Sequence, residues 1–238
     1  MKIEMHAHTA EVSPCARVKA KDMITASKKG GYDAVVITDH FNNYILESFQ
    51  GDSRQRVKRY LRGYEIAKEY EQEVGIKVLF GVEVNIPGGR EDFLVYGITP
   101  DFLFEFPKLY KLSQKELFKV AHEANALVFQ AHPCRDYCQP LDPYLMDGVE
   151  VLNGNFLHGG PSIGGDNNND KALEFALSYN HLLHVSGSDT HNYEDIGGGG
   201  IIIPDSVILE KEEDLPEILK GKQLQLIVPE ELWRIYNG

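Results

Sequence analysis

The sequence predicts an α/β fold built as a barrel, on three observations. Short apolar stretches of strand length alternate with amphipathic stretches of helical period, the pattern of βαβ units around a parallel sheet. At 238 residues the chain has the length of a single ordinary barrel, and it is read as one domain over residues 1–238. Residues able to bind metals recur where the predicted strands end, and in parallel barrels the loops at the carboxyl ends of strands converge on a common mouth.

Strands are expected near Ile3 to Ala7, Ala34 to Thr38, Val78 to Glu83, Leu94 to Gly97, Leu127 to Ala131, Gly148 to Leu152, Leu183 to Ser186 and Ile201 to Ile203. The first helix, Ala20 to Lys29, stops at Gly30-Gly31, where a positive φ costs little. From Ser53 to Val74, Val57, Tyr60, Leu61, Tyr64, Ile66 and Ala67 form one apolar stripe, which predicts a single long helix. Ser113-Gln114-Lys115-Glu116 is a capping box that opens a helix reaching Asn125. A further helix is expected from Asp170 to Asn180, and the tail from Lys211 to Gly238 reads as a short helix followed by an apolar segment packed on the barrel.

Apolar residues make up 42% of the chain and charged residues 25%, enough for a sizeable core without a disulfide scaffold. The net charge of −12 argues against a general nucleic-acid or membrane-surface binder, unless bound cations invert the field locally. Cys15, Cys134 and Cys138 form no disulfide-rich pattern, the amino terminus lacks a signal-peptide apolar core, and no apolar run is of membrane-spanning length. A cytoplasmic protein is expected.

His6-Ala7-His8 carries the most information. Side chains at i and i+2 of a strand share a face, so both imidazoles reach one cation while Ala7 turns into the layer behind. Later strands end in Asp39-His40, in Glu83, in His132 and in Asp189-Thr190-His191. This mixture of imidazole and carboxylate suits Zn, Mn or Fe, and it exceeds the needs of one tetrahedral ion. A site of two or three divalent ions is expected, with Glu83 or Asp189 bridging. Such a site clamps a phosphate and turns water into hydroxide near neutral pH, so hydrolysis of a phosphate ester by metal-bound hydroxide is the best-matched reaction. Arg17, Arg135 and His158 are candidate substrate contacts.

The motifs HAHT, TDH, GVEVN, QAHP and SGSDTH, in that order over residues 6 to 191, resemble those of the PHP (polymerase and histidinol phosphatase) family. The resemblance implies a distorted (β/α)7 TIM-like barrel holding up to three metals, often a phosphoesterase. It assigns metal roles to His6, His8, His40, Glu83, His132, Asp189 and His191. At two positions the chain departs from the family pattern. After the paired histidines it offers Glu11, Ser13 and Cys15; Glu11 is favoured as the ligand because a carboxylate suits Mn or Fe better than a thiolate, with Cys15 second. Where the family often has a histidine after GVE, the nearest candidate here is Asp92.

Other groups carry simpler readings. His122, His181 and His184 are read as structural, and the basic run Arg54, Arg56, Lys58, Arg59 and Arg62 as a solvated helix face. Asn153 and Asn155 lie at the expected mouth, and Glu150 is read as an orienting partner for a histidine. The expected partner is a small phosphorylated substrate, a phosphomonoester rather than a diester. The rival readings are an amidohydrolase-type enzyme, an enzyme acting on nucleic-acid ends, and a metal-binding barrel without turnover.

Overall fold

A computed structural model describes residues 1–155, 167–221 and 223–228. His158 and the end of the tail lie outside them. In chain order the elements are β1 (Lys2–Ala7), α1 (Ala20–Lys29), β2 (Ala34–Ile37), β3 (His40–Phe41), α2 (Asn43–Ser48), α3 (Ser53–Tyr60), α4 (Arg62–Glu69), α5 (Glu71–Val74), β4 (Lys77–Asn85) and β5 (Asp92–Tyr96). There follow α6 (Pro100–Glu105), α7 (Gln114–Glu123), β6 (Leu127–Gln130), β7 (Gly148–Asn153), α8 (Asn169–Leu177), β8 (Leu183–Gly187), β9 (Ile201–Ile202), α9 (Leu215–Lys220) and β10 (Gln225–Leu226).

One sheet contains all these strands, in the order β10-β9-β1-β2-β4-β5-β6-β7-β8, with β3 added beside β4. β1 to β8 without β3 curve round as a barrel wall, and a bridge from Ala7 to Thr190 draws the segment after β8 against the end of β1. The other end of β1 is occupied by β9, antiparallel through Lys2–Ile202 and Ile3–Ile201. Closure is therefore confined to the rim where the two histidines emerge. The fold is a distorted α/β barrel.

Its distortion corrects the expected all-parallel sheet. β5 runs antiparallel to both β4 and β6, pairing Val84 with Phe93 and Phe93 with Gln130. The connection from Asn85 to Asp92 is a short hairpin loop containing Gly88 at φ +95°, too short for the helical crossover a parallel neighbour needs. Reversal places the first residue of β5, Asp92, at the same rim as the last residues of β4.

The long apolar stripe also forms, but in three pieces. Val57, Tyr60, Leu61 and Ala67 are buried as the periodicity requires, while the helix is interrupted at Leu61 and at Tyr70. The Ser113–Glu116 capping box opens α7, and Gly31 supplies the positive φ after α1. Buried strand residues on the two sides of the wall feed separate apolar clusters. Ile3, Met5, Leu79, Leu94 and Phe129 meet in one, and Phe80, Val82, Val95, Val128 and Val149 meet the helices in another.

A candidate metal centre at the barrel rim

The strand ends deliver their polar side chains to one place. Three groups of potential metal donors occur among the described residues: His6, His8 and Asp189; His8, His40 and His191; and Glu83, Asp92 and His132. Within each group the donor atoms lie within 4.8 Å of one another, and His8 belongs to two of them. His6 Nε2 and His8 Nε2 are 3.1 Å apart, and His8 Nε2 is 3.1 Å from Asp189 Oδ1. Glu83 joins the groups: its Oε1 is 3.0 Å from His132 Nε2 and 3.3 Å from His6 Nε2, and its Oε2 lies against His40 Nδ1 and 3.4 Å from His8 Nε2.

Divalent ions fit these donors. Glu83 Oε2 is fully buried and accepts no hydrogen bond, although two imidazoles crowd it. A buried carboxylate oxygen without a partner is costly, and a cation among these atoms would satisfy it. The near contact of His6 and His8 is likewise natural for lone pairs aimed at a shared ion. His6, His8, His40, Glu83, Asp92, His132, Asp189 and His191 would hold the ions.

The charge states follow from burial and neighbours. Burial opposes a charge on His6, but the carboxylates of Glu150, Asp189 and Glu83 outweigh it and raise its pKa well above the usual histidine range. His8 is equally buried, lies beside His40 and His191, and is held well below that range. Burial disfavours ionised Glu83 and Asp189, yet the surrounding cationic groups, His40 and His6 for the first and His6 and Arg135 for the second, keep both well below ordinary carboxylate values. Asp92, half-buried near the negative Glu83, is pushed up to about 6 by loss of solvent and by that charge.

A second layer of hydrogen bonds fixes these side chains. His6 Nδ1 lies 2.9 Å from Glu150 Oε1, while Glu150 Oε2 accepts from the His132 amide and from Asn153 Nδ2, each at 2.9 Å. Such a carboxylate sets the imidazole's tautomer and leaves Nε2 free as a ligand. Glu4 Oε1 accepts the amides of His6 at 3.0 Å and Ser188 at 2.9 Å, tying β1 to the end of β8. Arg135 pairs with Asp189 at 2.6 Å and donates to Asn153 and Asn167. Asn155 donates to the Asp189 carbonyl at 2.6 Å. His132 and Asp189 both have positive φ, +28° and +50°, a conformation that costs a non-glycine residue roughly 1–3 kcal/mol and gathers at functional sites.

Not every expected residue joins the cluster. Glu11 is placed elsewhere: its carboxylate accepts the Ala20 amide at 3.0 Å and caps the start of α1, where the helix dipole favours a negative charge. Cys15 takes the position beside the histidines, with Sγ 3.1 Å from His191 Nε2. Arg17 is exposed, and it is its backbone amide that donates, to the His191 carbonyl. Asp39 accepts the Thr9 amide at 2.7 Å, the Thr9 hydroxyl at 2.6 Å and the Ser13 hydroxyl at 2.8 Å, and so clamps the loop after β1. His122 pairs with Asp147 and His181 with the Pro143 carbonyl, away from the donor groups.

Glu4 and Thr9 were absent from the sequence-derived candidates, and Ser13 was named only as one of the residues that follow the paired histidines. Glu4 had a readable signal, because it shares the period-two face of His6 and His8. Thr9 and Ser13 act through loop geometry that spacing does not encode.

A barrel whose rim gathers histidines and carboxylates in overlapping donor groups defines a metallohydrolase-like class of protein. The PHP domain model matches residues 4–195, and the chain belongs to the PHP domain family. Over 85 residues it is 33% identical to the polC-type DNA polymerase III of Streptococcus pyogenes serotype M3, a match covering 36% of this chain and 5% of the polymerase. The chain thus corresponds to a small part of that curated relative. Among solved structures, a two-domain protein from Bacteroides vulgatus containing a predicted PHP-like metal-dependent phosphoesterase superposes with a TM-score of 0.64. It shares 19% identity over 99% of this chain and 68% of its own. The lesion-specific endonuclease PfuEndoQ from Pyrococcus furiosus superposes with a TM-score of 0.55 at 15% identity, over 94% of this chain and 57% of its own. These two likenesses establish the shared fold.

Proposed function

We propose that the protein is a metal-dependent phosphoesterase acting on a small phosphorylated substrate, a phosphomonoester rather than a diester. Membership of the PHP domain family supports metal-dependent phosphoester hydrolysis in general. The observation that carries the reading is the overlap of two donor groups at His8, with Glu83 of the third group reaching into both. Two or three ions of Zn, Mn or Fe held there would polarise phosphoryl oxygens and lower the pKa of water.

The protein's own groups complete the task. His6, His8 and Glu83 are fully buried, whereas His40 is 20% exposed, Asp92 17%, His191 15% and Arg135 14%. Substrate therefore approaches from the side where these four reach solvent. Arg135 adds a fixed positive charge at that opening and holds Asp189 in place. Glu150 and Asn153 keep the His6 and Asp189 side chains in one orientation, so little rearrangement accompanies substrate binding. No helix among the described residues is long and apolar enough to cross a membrane. A reducing cytoplasm suits the three free cysteines and is the proposed location.

Hydrolysis of an aryl phosphate monoester and of the matching diester, with added Mn or Zn, tests the reading. Monoester turnover that disappears in His132→Ala is expected. Metal binding without turnover of either ester would overturn it, and a preference for the diester would replace the monoester assignment.

A further inference from the structure

We propose that Cys15 is a thiolate ligand to an ion shared with His40 and His191, so that one position of the centre is sulfur-containing and selects a thiophilic metal. The proposal rests on the metal-centre reading above and adds a donor outside the nitrogen and oxygen groups already described.

The geometry begins with His191. Its Nδ1 lies 2.9 Å from the Asp189 carbonyl, which accepts only from N–H, so the proton sits on Nδ1 and Nε2 carries the lone pair. Cys15 Sγ faces that lone pair at 3.1 Å, and His191 shares a donor group with His40 and His8. Sulfur and a bare imidazole nitrogen approach so closely only with a positive centre between or beside them, a proton or a metal ion. A cation would fill that role for the sulfur and for the nitrogens of His40 and His191 together.

An independent observation points to the same place. Glu83 Oε2, fully buried and without a hydrogen bond, lies against Nδ1 of the same His40. An ion that satisfied this oxygen would lie beside His40, which shares a donor group with His8 and His191. Local folding also delivers the thiol deliberately. The Thr9 and Ser13 bonds to Asp39 turn the loop after β1 back on itself, and the Arg17 amide bond to the His191 carbonyl at 2.7 Å pins its far side, with Cys15 between. Glu11, the carboxylate alternative, is engaged at the start of α1. Thiolate among imidazoles favours zinc or cobalt over manganese or magnesium.

The experiment is cobalt substitution of the full chain, read by absorption. Visible ligand-field bands report cobalt at the centre, and a near-ultraviolet sulfur-to-cobalt charge-transfer band reports a bound thiolate. The expected result is both features in the wild type and in Cys134→Ser, and in Cys15→Ser complete loss of the charge-transfer band with the visible bands kept. Visible bands without the charge-transfer band in the wild type, or a charge-transfer band that survives Cys15→Ser, would overturn the cysteine assignment while leaving the metal centre standing. Absence of any cobalt spectrum in all variants would overturn the metal centre itself and this proposal with it.

Discussion

Glu150 spans two histidines: one carboxylate oxygen lies 2.9 Å from His6 Nδ1 while the other accepts the backbone amide of His132, also at 2.9 Å. A single side chain on β7 thereby sets the ring of a residue on β1 and the strained backbone two residues past the end of β6. Glu150→Gln keeps the shape but replaces one acceptor oxygen with a donor, so both contacts cannot be kept. The expected outcome is a roughly 10–100-fold loss of metal affinity or activity, as for other partners of metal-binding histidines. Metal titration by calorimetry checks it, with an unchanged circular dichroism spectrum showing that the fold survives.

Arg135 and Asp189 form an ion pair at 2.6 Å, with Asp189 fully buried and its carboxylate also approached by His8. Removing one partner of a buried pair costs about 3–5 kcal/mol because the remaining charge is uncompensated. Divalent ions beside Asp189 supply that compensation. Arg135→Met is therefore expected to lower the melting temperature substantially in chelator and much less with saturating Mn or Zn. An equal loss in both conditions would show that Asp189 does not face an ion.

How much of this was legible in the sequence follows from where each signal resides. The strand-end residues were readable because a strand's period of two and a barrel's common mouth together determine where His6, His8, Glu83 and Asp189 point. Asp92 was harder, since it begins its strand instead of ending it. Only the reversal of β5 brings it to the rim, and that reversal is set by the short connection after Asn85. Which of Glu11 and Cys15 lies beside the histidines follows from three-dimensional loop closure through Asp39, which spacing does not encode. The division of the stripe from Ser53 to Val74 was likewise invisible, because the breaks at Leu61 and Tyr70 do not disturb the spacing of the buried residues.

Gly63, on α4, touches the loop clamp directly. A Cβ built there would stand 2.1 Å from Thr9 Oγ1 and 2.7 Å from Asp39 Oδ2. In a free helix, replacing glycine with alanine stabilises by about 1 kcal/mol. Here the crowding must displace the Thr9–Asp39 hydrogen bonds, and overpacking typically costs about 1–3 kcal/mol. Gly63→Ala is expected to be destabilising overall, and to disturb the positions of Ser13 and Cys15 through the same loop. Urea denaturation measures the first effect and the cobalt spectrum the second.

Stability should also respond to pH at a carboxylate remote from the metal centre. Glu212 opens the 3-10 turn Glu212–Asp214, is 8% exposed, and has its pKa raised above the usual 4.5 by burial, with Glu213 adding to the effect and Lys68 opposing it. The folded protein therefore holds this proton to a higher pH than the unfolded chain does. Below pH 4.5 the group is protonated in both states and makes no difference; as pH rises through the raised folded value, the folded state loses stability relative to the unfolded one. Glu212→Gln removes this titration while keeping the side chain's size. Melting temperatures measured in chelator, so that metal binding does not contribute, should show the variant above the wild type at pH 7.5 and level with it at pH 4. A gain of the same size at both pH values would mean that packing, rather than the buried charge, separates the two proteins.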